Sequence, residues 1–422
     1  MDRTFRPSRR AGAIRIPGSK SQTIRSYLLA LEAHGVSIIQ GALESSDTLA
    51  CRKLCEALGA TFTSTAQGLS IDSTHAFEHL PDIITVDCMN SGTSLYLSAG
   101  LLAATGKKVT LTGDGQLCKR PIAPLLSAYE KLGATVERLN GDTPPCTIQG
   151  PLHGGCCSIA CPTSQYLSSL LLACPLAEGN SEIDIPLLYE KPYVSLTLGW
   201  LDAQHIRYSI NSDLSHVSVP GGQHYHPFQA TIPGDYSSAT FFFCLAAICG
   251  TSITVEGLRP DDPQGDKKVL DILSAMGCKV SFSPDSVTVT GPSELKGGSF
   301  DLNDIPDALP VLSATACLAA EDVSFTNVSQ ARIKETDRIA CMHEELAKLG
   351  ADITESPDGM TIHAGRKLHG GTVDGHGDHR IIMALSTLSA VVPGEVTIHG
   401  IDAVDVTFPT FFTLMDTLGG NR

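Results

Sequence analysis

The chain has 422 residues, 42% of them hydrophobic, with 30 basic and 45 acidic side chains and a formal net charge of −15. That length suffices for at least two domains with separate apolar cores. An acidic balance without any basic run excludes nucleic acid and anionic membrane surfaces as partners, so an anion site has to be built locally, against the overall field.

In chain order, the strand-like "GAIRIPG" comes first. It runs into "SKSQTIR", which places two hydroxyls, a lysine and an arginine where the apolar helix "SYLLALEAHG" starts. Five more apolar runs of helix length follow, and the six begin near Ser21, Thr93, Ser164, Ser237, Ala308 and His379, at spacings of 72, 71, 73, 71 and 71 residues. None is long enough to span a bilayer; "ATFFFCLAAICG", for example, ends in glycine as a core helix would. Between them lies a second series, "CEALGATFT", "YEKLGATVE", "GWLDAQHIR", "LSAMGCKVS", "LAKLGADIT" and "MDTLGG". Its glycines are Gly59, Gly133, Gly277, Gly350 and Gly419, with Asp202 standing in the third unit. Alternating runs with turn residues, such as "KVSFSPDSVTVTG", close the first five units as hairpins. The predicted unit is strand, helix, strand, helix, hairpin.

Simple solenoid repeats are about 20 to 50 residues long, so a period near seventy favours a pseudo-symmetric α/β globule of six units over a solenoid. The sixth unit stops at "TLGGNR" without a hairpin, and the N-terminus is expected to complete it. "RIPGSKS" near Ile16 is echoed three units later by "TIPGDYSS" near Ile232, which divides the chain into two three-unit domains. The expected domains are 14–231, and 1–13 together with 232–422. The 14 cysteines lack C-x-x-C pairs and no signal-peptide pattern precedes them, so reduced, mostly buried thiols in a cytoplasmic protein are expected.

Unusual polar residues gather at the six helix starts: Ser19-Lys20-Ser21, Asn90-Ser91-Gly92-Thr93, Thr163-Ser164-Gln165, Asp235-Tyr236-Ser237-Ser238, Pro306-Asp307 and Gly377-Asp378-His379-Arg380. Ser, Thr, Asp and Asn cap helices without further purpose, and Ser237 and Ser238 are read equally well that way. Capping does not require Lys20, Arg25, Gln165 or Arg380. A helix N-terminus offers free N–H groups and about half a positive charge, so phosphate and carboxylate are its natural ligands. Further cations stand in "LCKRPIAPLL" (Lys119, Arg120) and "ARIKETDRIA" (Arg332, Lys334, Arg338). Pro121 suits a first helical position, which would put Arg120 beside another helix start. Taken alone, "KETDR" reads as a solvated face of mutually neutralising charges.

In order along the chain, "PGSKSQTIR", "NSGTS", "KRPI", "TSQYL", "KPYVSLTL", "GDYSSA", "IPDA", "RIKETDR", "GDHRIIMA" and "TFPTFF" together resemble the enolpyruvyl transferases, and among them the EPSP synthase family. The resemblance covers nearly the whole chain. It implies a two-domain, inside-out α/β fold of three repeats per domain, with helices inside, sheets outside and the active site in the interdomain cleft. The implied reaction moves the enolpyruvyl group of phosphoenolpyruvate to the 5-hydroxyl of shikimate 3-phosphate through a tetrahedral intermediate, in aromatic amino acid biosynthesis. By resemblance, phosphoenolpyruvate would be held by Lys20, Gly92, Arg120, Gln165, Arg338 and Arg380. Shikimate 3-phosphate would be held by Ser21, Arg25, Thr163, Ser164, Tyr193, Asp307 and Lys334. Asp307 is the implied base at the reacting hydroxyl. Lys20 and Glu335 are the candidates for the carbon and phosphate side, and which of them moves which proton stays open. No cofactor and no metal are implied, and a cytoplasmic monomer acting on small molecules is expected.

Several positions depart from the family pattern. Met89 and Tyr96 replace the glycine and arginine of G-N-x-G-T-x-x-R, and Glu190 stands where serine is common, beside the expected phosphate, which a carboxylate would repel. Gln330 replaces a common asparagine and Val406 a lysine. Three other readings remain. Cys118 before "KRPI" invites comparison with the sister enzyme that uses UDP-N-acetylglucosamine, though no glycine-rich loop surrounds it. Asp374, His376, Asp378 and His379 could ligate zinc, although Arg380 is poor company for a cation. A silent anion-binding paralogue is the third.

Overall fold

The computed structural model describes residues 1–78 and 80–419; the last three residues of the expected second domain lie outside them. The chain divides into two compact units, Lys20–Ile232, and Met1–Ser19 with Pro233–Arg422.

Each unit is built from the predicted module. In the second module, Ile83–Asp87 and Lys108–Thr112 pair in parallel, with Ile83 opposite Lys108, and the helix Gly92–Ala104 makes the crossover. Parallel neighbours cannot be joined by a tight turn, which is why a helix-length run must separate them. The helix Ala123–Lys131 then leads to the antiparallel hairpin Thr135–Asn140 and Thr143–Gln149, whose second strand pairs with Lys108–Thr112. The strand order is therefore first, second, fourth, third, and four other sheets repeat it. Alternation sets the inner face: within Lys108–Thr112, Val109 and Leu111 are buried and their neighbours are half-buried.

Each unit has a single apolar core. The six polar-started helices are Lys20–Glu32, Gly92–Ala104, Ser164–Ala173, Tyr236–Cys249, Leu309–Ala316 and His379–Ser389, all within one residue of their expected starts. Three pack together at the centre of each unit, and Gly92–Ala104 and Tyr236–Cys249 are buried nearly all round, as apolar helices without a polar face must be.

The structure moves the domain boundary. The strand Gly12–Arg15 pairs in parallel with Ser252–Glu256, so its ladder hydrogen bonds tie it to the fourth module, and the break falls after Ser19 rather than before residue 14. Reciprocally, Gln229–Thr231 supplies the first strand of the first module beside Val36–Gln40. The N-terminus does complete the sixth module, but with Asp2–Phe5, antiparallel to Val396–His399, and not with "GAIRIPG". The glycine series marks the ends of the modules' second helices: Gly59, Gly133, Gly277 and Gly350 all have φ between 95° and 105°. In the third module His205, with φ 56°, takes that left-handed position, and Asp202 is still within the helix Lys191–Ala203. Pro121 is not at a first helical position. It lies ahead of Ala123–Lys131, and Arg120 before it is extended at φ −79°, ψ 135°, as steric conflict with a following proline requires.

Candidate active site

In the unit Lys20–Ile232, the first helix carries Lys20 and Arg25. Lys20 Nζ lies 2.9 Å from Asp47 Oδ2, at the start of the helix Ser46–Ala57. Arg25 is 2% exposed, and its guanidinium donates to Thr197 Oγ1 at 2.9 Å, Ser21 O at 3.0 Å, Tyr193 O at 3.1 Å and Ser168 Oγ at 3.4 Å. All four acceptors are neutral. Burial pulls its pKa down to about 10, because a charge taken out of water without an opposite charge is held less firmly. An anionic ligand would supply that charge.

Gly92 begins its helix behind the N-cap Ser91, and a Cβ there would stand 2.4 Å from Arg120 Nη1. The absent side chain is what lets this guanidinium lie against the helix start. Met89 has φ 53°, the left-handed conformation that explains why glycine is usual at this position. Tyr96, in place of the arginine, donates through its hydroxyl to Pro121 O at 3.0 Å. Tyr166 donates to the same carbonyl at 2.7 Å, with the two rings edge to face. Thr163 caps Ser164–Ala173 through Gln165 N. The Gln165 Oε1 atom is buried with no hydrogen-bond partner among the described residues. Glu190 Oε2 accepts from Ser164 Oγ at 2.9 Å, Ser164 N at 3.2 Å and Thr163 Oγ1 at 3.3 Å. Tyr193 lies in the first turn of Lys191–Ala203.

In the other unit, Arg338 opens the helix Arg338–Lys348 with its side chain only 1% exposed. It reaches Asp307 Oδ1 at 2.7 Å, Glu335 Oε2 at 2.5 Å and Asp378 Oδ2 at 2.8 Å. Burial pulls its pKa down, and the Asp378, Glu335 and Asp307 carboxylates more than reverse this, so the net shift is upward. Arg380 Nη2 takes the other Asp307 oxygen at 2.9 Å. Burial alone would push the Asp307 carboxyl up; Arg380, Arg338 and Lys334 overcome it and hold the group well below the usual carboxylate range. "KETDR" is thus no solvated face: Arg338 is drawn inward by Asp307 and Asp378 from other elements, while Asp337 pairs with Arg332 at 2.7 Å.

Asp378 stands in the sequence both at a helix start and in the candidate zinc set. It caps His379–Ser389 by accepting from Arg380 N at 2.8 Å and holds Arg338 at the same time. His376 turns away to Glu345, Nε2 to Oε1 2.6 Å. Two members of the candidate zinc set, His376 and Asp378, thus turn to different partners, Glu345 and Arg338. Glu344, Glu345 and His376 do approach one another, but Lys348 Nζ already pairs with both carboxylates, at 2.9 and 2.8 Å. Cys118 is half-buried with its thiol on Gly113 O at 3.3 Å. Gln330 is buried and donates to Asn303 O at 2.8 Å, and Val406 ends the turn Ile401–Val406. Sequence reasoning missed Asp47, Ser168 and Thr197, and the Trp200 indole that donates to Gln22 Oε1 at 2.5 Å. Their residue types alone carry no signal, although Thr197 lies one turn beyond Tyr193 on the same helix.

The family model described as EPSP synthase (3-phosphoshikimate 1-carboxyvinyltransferase) matches residues 6–415. The chain belongs to the EPSP synthase family. It is 44% identical over 411 residues to a 3-phosphoshikimate 1-carboxyvinyltransferase of Ruminiclostridium cellulolyticum, covering 97% of this chain and 96% of the relative. A second relative of that description, from Halobacterium salinarum, is 37% identical over 433 residues, covering 100% of this chain and 99% of its own. The structure of an EPSP synthase from Acinetobacter baumannii superposes with a TM-score of 0.82 at 28% identity, over 99% of this chain and 98% of that one. The enolpyruvyl transferase NikO from Streptomyces tendae, at 17% identity and a TM-score of 0.77 over 99% and 97%, shares the fold. As an EPSP synthase family member the chain is an enzyme of two-domain α/β architecture. No helix among the described residues is long and apolar enough to cross a membrane.

Proposed function

We propose that the protein transfers the enolpyruvyl group of phosphoenolpyruvate to the 5-hydroxyl of shikimate 3-phosphate, releasing phosphate, as a cytoplasmic monomer without a cofactor. The observation that carries this assignment is the Asp307 carboxylate held between the buried Arg338 and Arg380 in a chain matched to the family from residue 6 to 415.

In the unit Lys20–Ile232, Arg25 with Ser21 and Tyr193 would receive the acceptor's carboxylate, and Thr163 and Ser164 its phosphate. Lys20, Gly92, Arg120 and Gln165 would serve phosphoenolpyruvate. In the other unit Arg338 and Arg380 would take oxygens of phosphoenolpyruvate, with Asp307 and Lys334 at the ring hydroxyls of the acceptor. An arginine fork suits carboxylate and phosphate alike, because it can donate two parallel hydrogen bonds.

The charge arrangement sets the proton chemistry. With both Asp307 oxygens on arginines, at 2.7 and 2.9 Å, the carboxylate is ionised but weakly basic. Anionic substrate oxygens compete for the same guanidinium hydrogens, loosen that hold and raise the basicity of Asp307 at the step where the hydroxyl proton must leave. Lys20 and Glu335 are the groups for the protonation at carbon and the loss of phosphate; Glu335 lies 2.5 Å from Arg338.

The test is phosphate release from phosphoenolpyruvate, measured separately with shikimate 3-phosphate and with UDP-N-acetylglucosamine as acceptor. Release with shikimate 3-phosphate alone is expected. Release with the nucleotide sugar alone would refute the assignment, and no release with either would mark a silent anion-binding paralogue.

A further inference from the structure

The start of the helix Ser164–Ala173 already holds an anion, and that anion belongs to the protein. Glu190 follows the strand Ser181–Leu188 and is the N-cap residue of the next helix, Lys191–Ala203, yet its side chain makes no cap bond there. It reaches the neighbouring helix start instead, where Oε2 alone accepts from Ser164 N, Ser164 Oγ and Thr163 Oγ1. The residue is 2% exposed, and its backbone is left-handed at φ 58°, ψ 41°, a conformation uncommon outside glycine and asparagine. A buried carboxylate on a backbone N–H and two hydroxyls at a helix N-terminus makes the contacts a phosphate oxygen would make there.

We propose that Glu190 is an internal competitor for the phosphate of the acceptor substrate and sets how tightly this chain holds it. The inference rests on the assignment of Thr163 and Ser164 to that phosphate. Each of the three donors has one hydrogen to give, so phosphate and carboxylate cannot both take them, and two anions at one helix start repel. Binding therefore requires the Glu190 side chain to leave, and that cost is subtracted from the affinity. A serine in its place would add a donor and no charge. An acceptor without the phosphate displaces nothing. Glu190 thus narrows the preference for the phosphorylated acceptor over its unphosphorylated analogue.

The experiment is calorimetric titration of the wild type, Glu190→Ser and Glu190→Gln with shikimate 3-phosphate, shikimate and inorganic phosphate. Glu190→Gln keeps the side-chain shape and removes the charge, so it reports even if Glu190→Ser folds poorly. Shikimate 3-phosphate is expected to bind at least tenfold tighter to Glu190→Ser and severalfold tighter to Glu190→Gln. Inorganic phosphate should bind both variants more tightly than the wild type, and shikimate should change less than twofold. Unchanged or weaker binding of shikimate 3-phosphate in both variants overturns the proposal, as does an equal gain for shikimate. Phosphate release by the wild type separates the two questions: turnover without tighter binding in the variants leaves the assigned reaction standing and removes only the competitor role. Absence of turnover, with inorganic phosphate still gained by the variants, removes the reaction and leaves the anion competition standing.

Discussion

Glu32 ends the first helix, Lys20–Glu32, only 5% exposed, and its Oε1 atom has no hydrogen-bond partner among the described residues. Tyr225 lies within its electrostatic reach, but that hydroxyl donates to Leu172 O at 2.8 Å. Burial pushes the carboxyl up to about 8 from the ordinary 4.5. A pKa raised on folding means that the folded chain binds the proton more tightly, so stability is fully present below the unfolded pKa and is lost as pH rises toward the folded one. At about 1.4 kcal/mol per pH unit, the loss between pH 5 and 8 comes to roughly 3.5 kcal/mol. Glu32→Gln keeps the shape and cannot ionise. Its stability relative to the wild type should therefore climb by that amount over this window, whatever the fixed cost of burying the amide. Urea unfolding of both proteins at pH 5, 6, 7 and 8 measures it. With an m-value of roughly 3 kcal/mol/M, the midpoint difference should change by about 1 M in favour of the variant. Parallel pH profiles would show that Glu32 is either solvated or partnered, and would refute the reasoning.

Arg25→Ala should weaken calorimetric binding of shikimate 3-phosphate by tenfold or more and lower kcat far less, because a charge-assisted contact worth about 1.5–3 kcal/mol is lost from ground and transition states alike. Asp307→Ala should do the reverse, lowering kcat about a hundredfold to ten-thousandfold in steady-state assays while the acceptor still binds; Arg338 keeps Glu335 and Asp378 as partners. Gly92→Ala would press its methyl group against Arg120, so the KM for phosphoenolpyruvate should rise severalfold with calorimetric binding of shikimate 3-phosphate unchanged.

The repeat was legible because each module needs the same things at the same spacing: a crossover long enough to join parallel strands, then a glycine to end the second helix. Glycine at φ near 100° is a steric requirement, so it leaves a mark in sequence. His205 breaks the mark without breaking the conformation, which is why the third module's register was misread through Asp202. The exchange of Gly12–Arg15 and Gln229–Thr231 was not legible. A strand's residues state which face is buried, and nothing in them states which of two similar parallel neighbours they will pair with.

In the proposed site, the cations draw notice in the sequence and their protein partners do not. Lys20, Arg25 and Arg380 stand out because a helix start does not need them, whereas Arg338 reads by its neighbours as part of a solvated face, and Asp47 and Asp378 are ordinary capping types whose second contacts depend on tertiary placement. The two units also solve the same electrostatic problem differently. Arg338 is buried among three carboxylates and gains its charge stability from them, while Arg25 is buried among neutral acceptors. A ligand anion at Arg338 must displace a protein carboxylate; one at Arg25 adds a charge that is missing. The Glu190 carboxylate places the start of Ser164–Ala173 with the first kind, although Arg25 in the same unit is of the second. A serine there would have left the proposed acceptor ligands of this unit uniformly open to anions. Under the proposed assignment, the departure visible in the sequence at Glu190 changes how phosphate binding is opposed and leaves the donors Thr163 and Ser164 intact.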